Sequence, residues 1–436
     1  MMSTNALYLG KTLGIMGIDR NGQRLIMNAK DAGLNVGVYL DHPEPETTKL
    51  ADFTIIGNYR DKDKLTEFGQ NCDVVLYETP AIDSIVLRYL SKFCTISQGI
   101  DPLEIMQDRL MERAFLDQVN VNVAPYVTVI SLDDIYQSID SIGYPAILRP
   151  IQRGLGEQSL MIKKQSDIAR AADFIQGGTY LLESWIEHAA EYSIIIAVDN
   201  NGVSQYPLIE QEFDGNCQLV AAKAPATVPD DMYQEMKRIA DSIGEHLGYH
   251  GILAVDFYVT STDNLYIKDI HPGLTTAGNV FAMATNVSQE EQEIRIASGQ
   301  PIHFIKTMQP IIFLIGRQKQ QAALERQELI RNNWKISFFE SQKNDPDAVC
   351  AYVWASSPDD NLDELQDQID DTEVWLPMNA EEESTDSAAD DEQLGAEPQF
   401  EDKPQPSAAP IQPDLEIFPD KDPDQDEDND NDDADK

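Results

Sequence analysis

Short apolar runs alternate with amphipathic stretches through the first hundred residues. Residues 12–18, 35–40, 52–56 and 73–77 are apolar runs of strand length, while 21–32 and 62–70 carry apolar positions at helical spacing. Strands alternating with helices predict a parallel sheet joined by right-handed crossovers. Ligands of such sheets bind at the carboxyl ends of strands. Those ends here are Gly17-Ile18-Asp19, Asp41-His42-Pro43 and Tyr77-Glu78-Thr79-Pro80, with Glu78 as a candidate substrate contact.

From residue 108 the pattern changes. Helical spacing covers 109–119 and 133–142, the latter ended by Gly143. Strand patterns cover 145–149, 180–186 and 192–198, and the Gln152–Glu157 stretch reads as a loop. Pro229 opens a long helix to Leu247, with Asp230 and Asp231 in its first turn, where they suit the helix dipole. Ser288 and Glu291 have capping-box spacing for a helix reaching Ala297 and closed by Gly299. Apolar runs at 311–315, 334–339 and 349–354 suggest a small further unit containing strands. The expected division is 1–105, 106–300, 301–376 and a tail at 377–436.

Composition narrows the classes of function. The chain has 436 residues and a net charge of −44, which argues against a nucleic-acid or anionic-membrane partner. From Pro377 onward there are 22 acidic and 3 basic residues and little apolar periodicity, so a disordered acidic tail is expected. Cys72, Cys94, Cys217 and Cys350 are far apart with no CxxC pair, which disfavours a disulfide scaffold or a zinc site. Neither a signal peptide nor a membrane span is legible, and a cytoplasmic protein is expected.

The chemistry concentrates in two apolar strands, 252–259 and 265–270, joined by a polar turn. A four-residue turn at 261–264 sets Asp256 directly opposite Asp269. Two carboxylates facing each other in apolar strands repel, and burial sharpens the repulsion. A divalent cation resolves it, and Mg²⁺ is favoured because oxygen ligands converge and such ions share their coordination with substrate phosphates. The alternative is a turn slipped by one residue, which sends one acid to water. Elsewhere, Leu181-Leu182-Glu183-Ser184-Trp185-Ile186 followed by Glu191 can present backbone to an adenine edge and a carboxylate to ribose hydroxyls. Arg149, at a strand end before the loop, is placed to hold phosphates. Arg113 lies on a helix, and His271, alone before a proline, reads as structural.

This order of features resembles the ATP-grasp superfamily. Within it the chain is most similar to the 5-(carboxyamino)imidazole ribonucleotide synthetase family, over roughly residues 10–355. The resemblance rests also on Gln107-Asp108-Arg109, Tyr206-Pro207-Leu208-Ile209-Glu210, Ala224-Pro225-Ala226 and Leu247-Gly248-Tyr249. It implies an α/β and α+β architecture: an ATP-grasp fold after a parallel-sheet domain, then a small β-containing unit. It further implies an ATP- and magnesium-dependent carbon–nitrogen ligase that carboxylates aminoimidazole ribonucleotide with bicarbonate in purine biosynthesis, acting as a homodimer. By resemblance Glu183 and the backbone at Ile186 face adenine, and Glu191 faces ribose. Arg113 and Arg149 hold phosphates, with Arg149 in the catalytic role, and Asp256 and Asp269 bind magnesium.

The chain departs from the family pattern at definite places. Arg113 and Arg149 stand where the family has lysines, and Asp256 and Asp269 where it has glutamates. The loop at 152–158 lacks the family's Tyr, Asp and Lys, and Gly273 stands for an Arg. Lys268 replaces an Asn, and its ammonium is a candidate to neutralise the acids in place of one ion. Two alternatives therefore stay open: a non-catalytic paralogue that binds nucleotide or a partner, and an ATP-grasp ligase for another acid and amine.

Overall fold

A computed structural model of the chain describes residues 7–18, 22–43, 48–79, 81–153, 159–175, 178–215, 217–339, 345–357 and 361–375. The acidic segment 377–436, residues 19–21 and loop positions 154–158 lie outside the described residues.

Five strands, β1 (Thr12–Met16), β2 (Asn35–Leu40), β3 (Phe53–Ile56), β4 (Val74–Tyr77) and β5 (Thr95–Ile96), form a parallel sheet in the order β3-β2-β1-β4-β5. The four expected strands are there, most with ends trimmed, and β5 joins them as an unexpected fifth. The first strand stops at Met16 because Gly17 turns the chain with φ of 69°.

A four-stranded antiparallel sheet follows: β6 (Tyr126–Val129), β7 (Ala146–Pro150), β8 (Leu160–Ile162) and β9 (Tyr180–Ser184), in the order β6-β9-β7-β8. The large sheet contains β10 (Ala190–Asp199), β11 (Gly202–Gln205), β12 (Ile209–Phe213), β13 (Leu219–Ala224), β14 (Gly251–Val259) and β15 (Leu265–Pro272). Three further strands, β16 (Ile311–Arg317), β17 (Trp334–Phe338) and β18 (Val349–Ser356), join the same sheet. β16 pairs with β13 and with β18, so the last strands extend the large sheet.

Strand alternation gives the large sheet two different faces. Ile194, Ile196, Leu253 and Val255 pack with Met236, Ile239 and Ile243 of the helix Asp230–Leu247. Gly248 ends that helix in the left-handed region, with φ of 75°. Ile195, Ala197, Ile252 and Ala254 turn the other way, toward Phe281, Phe313 and Trp354. Farther along that second face, at the start of β10 and the ends of β12 and β14, the side chains become polar. Directly paired residues share a face, so Glu191 joins Gln211 and Tyr258, and Ser193 joins Asp256.

The β14–β15 hairpin sets the acid register by an unexpected route. Val259 pairs with Leu265, which leaves five residues, 260–264, in the turn rather than four. Alone, that slip would separate the two acids. A bulge between Asp256 and Phe257 absorbs it: Phe257 pairs with Ile267, Lys268 is the extra residue, and Asp256 pairs with Asp269.

Candidate active site

The helix Arg109–Gln118, the β7–β9 pair and the β10–β14–β15 face meet around a cluster of charged side chains. Its first part is inside the four-stranded sheet. Glu183 pairs with Ile147, so Arg149, two residues on, shares its face. Arg149 Nη1 lies 3.9 Å from Glu183 Oε2. Arg113, on the helix, donates from Nε to Glu183 Oε1 at 2.9 Å and from Nη1 to Glu112 Oε1 at 3.0 Å. Glu112, Arg113 and Glu183 are all buried. Asp108 caps this helix through Leu110 and Met111, fixing its first turn and the two residues that follow.

The second part is the acid pair. Arg153 grips Asp269 with both ends of its guanidinium, Nη1 to Oδ2 at 3.0 Å and Nη2 to Oδ1. It also reaches Glu112 Oε2. His271 Nε2 stands 3.2 Å from Asp256 Oδ2 and 3.9 Å from Asp269 Oδ2. Asp256 Oδ1 is buried and has no hydrogen-bond partner among the described residues, and the same holds for Ser193 Oγ beside it in the register.

These contacts set the charges. Burial would raise the Asp269 carboxyl, but Arg153, then His271, hold it well below its ordinary value. Packing disfavours the charged His271 ring, yet Asp269 and Asp256 outweigh this and lift it. Glu112 goes the other way, because full burial outweighs Arg153 and pushes its carboxyl up.

The third part surrounds Glu191. Its Oε2 accepts from Lys268 Nζ at 2.5 Å and its Oε1 lies 2.9 Å from His188 Nε2. His188 Nδ1 is 2.9 Å from the carbonyl of Ile186, and its ring stacks on Tyr258 with centroids 4.1 Å apart. Lys268 Nζ sits over the rings of Phe213 and Tyr258 at 4.4 and 5.5 Å. Burial opposes the charge on Lys268, and Tyr258, Asp256 and Glu191 together outweigh it.

Arg113, Arg149, Glu183, Ile186, Glu191, Asp256 and Asp269 all belong to this one region. Glu78 lies at the end of β4, where Oε2 accepts from the Leu274 N–H at 3.1 Å, close against Gly273. As the bulged residue Lys268 hydrogen-bonds Glu191 while the Asp256 charge still favours its ammonium, and the direct contacts to the two acids come from Arg153 and His271. His271, set aside as structural, faces both carboxylates. Arg153, Glu112 and His188 carried no separate sequence signal, because each acquires meaning only from partners brought in by the fold.

A magnesium ion fits this donor set in one respect: Asp256 Oδ1 is a buried, unpartnered carboxylate oxygen directly across from Asp269. Among the described residues, no group of three or more His, Cys, Asp and Glu side chains could hold a metal alone. Two carboxylates with the remaining positions left to water and phosphate are a usual arrangement for magnesium.

Residues 10–107 match the ribonucleotide synthetase preATP-grasp domain, and residues 114–289 match the ATP-grasp domain. The chain thus carries the domain pair found in the ATP-grasp superfamily. Within that superfamily it is 28% identical, over 319 residues, to N5-carboxyaminoimidazole ribonucleotide synthase of Bacillus subtilis, covering 72% of this chain and 84% of that protein. The enzyme of the same name from Staphylococcus epidermidis is 26% identical over 385 residues, covering 87% and 99%. Two solved structures share the ATP-grasp architecture. N5-carboxyaminoimidazole synthetase from Staphylococcus aureus, complexed with ADP, superposes with a TM-score of 0.77 at 24% identity, covering 85% of this chain and 99% of that one. N5-carboxyaminoimidazole synthase from Aspergillus clavatus, in complex with ADP and 5-aminoimidazole ribonucleotide, gives 0.76 at 18% identity, covering 84% and 99%. No helix among the described residues is long and apolar enough to cross a membrane.

Proposed function

We propose that this chain is an ATP- and magnesium-dependent ligase that carboxylates aminoimidazole ribonucleotide with bicarbonate, in the cytoplasm and as a homodimer. The observation that carries the reading is the Asp256–Asp269 pairing across the hairpin, in one cluster with Glu183, Arg149 and Glu191. In this reading the backbone at Ile186 and the Glu183 side receive adenine, and Glu191 receives the ribose hydroxyls. Arg113 and Arg149 face the phosphates, with Arg149 the more accessible of the two. Asp256 and Asp269 hold magnesium, which supplies charge neutralisation for the triphosphate. Glu78 is the candidate contact for the ribonucleotide.

The γ-phosphoryl group passes to a bicarbonate oxygen and ADP leaves. The exocyclic amine of aminoimidazole ribonucleotide then attacks the carboxyl carbon, phosphate departs and the amine loses a proton. The protein's share of such phosphoryl chemistry is placement and charge. Arginines suit it, because a planar guanidinium pairs with two phosphate oxygens at once.

A second reading, nucleotide binding without turnover, draws on a specific observation: Glu191 and Asp269 already hold Lys268 and Arg153. Phosphate release from ATP with bicarbonate, with and without aminoimidazole ribonucleotide, separates the two. Stimulation by the ribonucleotide is expected for the ligase. Its absence, alongside a MgATP-dependent rise in melting temperature, rejects this ligase reaction and leaves nucleotide binding without turnover and a ligase for another acid and amine. Light scattering checks the dimer.

A further inference from the structure

The acid pair carries counter-cations of its own. Arg153 covers both oxygens of Asp269, and its side chain is 7% exposed. The same Nη2 that meets Asp269 also reaches Glu112, itself buried. Two carboxylates from different elements, a helix and a strand, thus converge on one cation. A guanidinium engaging both oxygens of a carboxylate is a strong pairing with fixed geometry. A divalent cation seeking Asp269 must compete with it for the same lone pairs. Asp256 differs: its Oδ1 is buried and has no hydrogen-bond partner among the described residues. Any ion entering therefore finds one carboxylate available and the other taken.

We infer that Arg153 is a resident competitor of the metal, held on Asp269 in the nucleotide-free chain and transferred to the polyphosphate when the metal–nucleotide complex enters. The inference rests on the reading of Asp256 and Asp269 as metal ligands. It deepens that reading by making metal and nucleotide binding interdependent. Metal alone binds poorly, because displacing Arg153 from Asp269 leaves a buried guanidinium with Glu112 as its remaining carboxylate partner. Nucleotide phosphates give the guanidinium a new anionic partner and free Asp269 for the ion. By linkage, metal and nucleotide must each strengthen the other's binding by the same factor. Arg153 is then a positioning residue that couples the two ligands, distinct from Arg149, which faces Glu183.

The test is binding of Mn²⁺ to the full chain, followed by electron paramagnetic resonance, with and without ADP. For the native chain, weak Mn²⁺ binding alone and at least tenfold tighter binding with ADP are expected. In Arg153→Gln, Mn²⁺ alone binds at least tenfold tighter than in the native chain, and the strengthening by ADP shrinks. Adding Asp269→Asn to Arg153→Gln removes the gain, which separates a freed ligand from a general rise in negative charge. Because Arg153→Gln leaves Glu112 short of a partner, Arg153→Gln/Glu112→Gln is measured beside it, and the same gain is expected there. Unchanged Mn²⁺ affinity in folded Arg153→Gln and in the double variant overturns the inference, as does a gain that survives Asp269→Asn. The readout needs no turnover. A chain that fails the ligase assay yet shows the Mn²⁺ pattern keeps this inference and loses the proposed reaction. A chain that turns over without the pattern does the reverse.

Discussion

Two regions of this protein bury carboxylates, and they solve the problem in opposite ways. At the β14–β15 hairpin, Asp269 keeps its charge because Arg153 and His271 are brought to it. On the helix Gln289–Ala297, Glu293 is fully buried and accepts the Ile252 N–H through Oε2, but its Oε1 has no hydrogen-bond partner among the described residues. Burial pushes that carboxyl up to about 8, so at neutral pH it is held mostly as the acid. Desolvation of Asp269 is answered with cations and that of Glu293 with a proton. A charged carboxylate can exchange its counter-cation for a metal or a phosphate-bound ion. A protonated one is a hydrogen-bonding wedge that locks the helix to β14. The first arrangement suits a site that must open to ligands, and the second suits a scaffold.

The largest expected effect breaks the charged region. Arg113→Met leaves Glu183 and Glu112 buried with fewer cations, and removing one partner of such a pair costs about 3–5 kcal/mol. Urea unfolding should show a loss of that size. A loss below about 1 kcal/mol would mean that the cluster is solvated like a surface ion pair. The next effect falls on function. Asp256→Asn keeps the shape but removes the unpartnered carboxylate oxygen, and activity in the ligase assay should fall by about 100-fold or more, the scale of losing an electrostatic partner of the reacting charge. The MgATP-dependent rise in melting temperature should vanish with it.

The two regions were not equally legible in the sequence. The acid pair was visible because two aspartates interrupt apolar strands on either side of a polar turn. Its register came out as expected through two compensating departures, a longer turn and a bulge at Lys268, neither of which side-chain alternation can reveal. The cations were invisible for a different reason. Arg153 lies 116 residues from Asp269 along the chain, and Glu112 is 41 residues from Arg153, so their meeting depends on how the four-stranded sheet sits over the large one. His271 is two residues from Asp269 and on its face of the strand, a proximity that β periodicity could have exposed. The parallel sheet of the first hundred residues was the easiest to read in its first four strands, which are mostly apolar, while the two-residue β5 offers too short a run to show. That β16 would pair with β13 could not be read, since a strand's pattern tells which face is buried and not which edge it joins.

The proton-based solution makes a pH prediction. The folded value of Glu293, about 8, stands above its ordinary 4.5, so the native state binds the proton more tightly. Its contribution to stability is full below about pH 4.5 and declines as pH rises through the interval up to about 8, then levels off. The slope cannot exceed about 1.4 kcal/mol per pH unit for one proton. Glu293→Gln retains an acceptor for the Ile252 N–H and cannot ionise. Its melting temperature should vary less between pH 5 and 8 than that of the native chain, a window set by the same shift. Parallel profiles for the two proteins would show that Glu293 is not the group responsible.

The smallest effect tests whether the scaffold helix depends on its wedge or on its ends. Ser288 caps it, with its hydroxyl oxygen accepting from the Glu291 N–H at 3.2 Å. Replacing such a cap by alanine typically costs about 1 kcal/mol. Most of the helix is buried, including Gln289, Glu290, Gln292 and Glu293, so tertiary contacts should hold it even when the cap is lost. Ser288→Ala is therefore expected to lower stability by about 1 kcal/mol without altering the pH profile. If the profile flattens as well, the first turn is what holds Glu293 in its buried position. The proton-based arrangement would then extend from the cap to β14 as one unit, in contrast to the charged region, whose members come from separate elements.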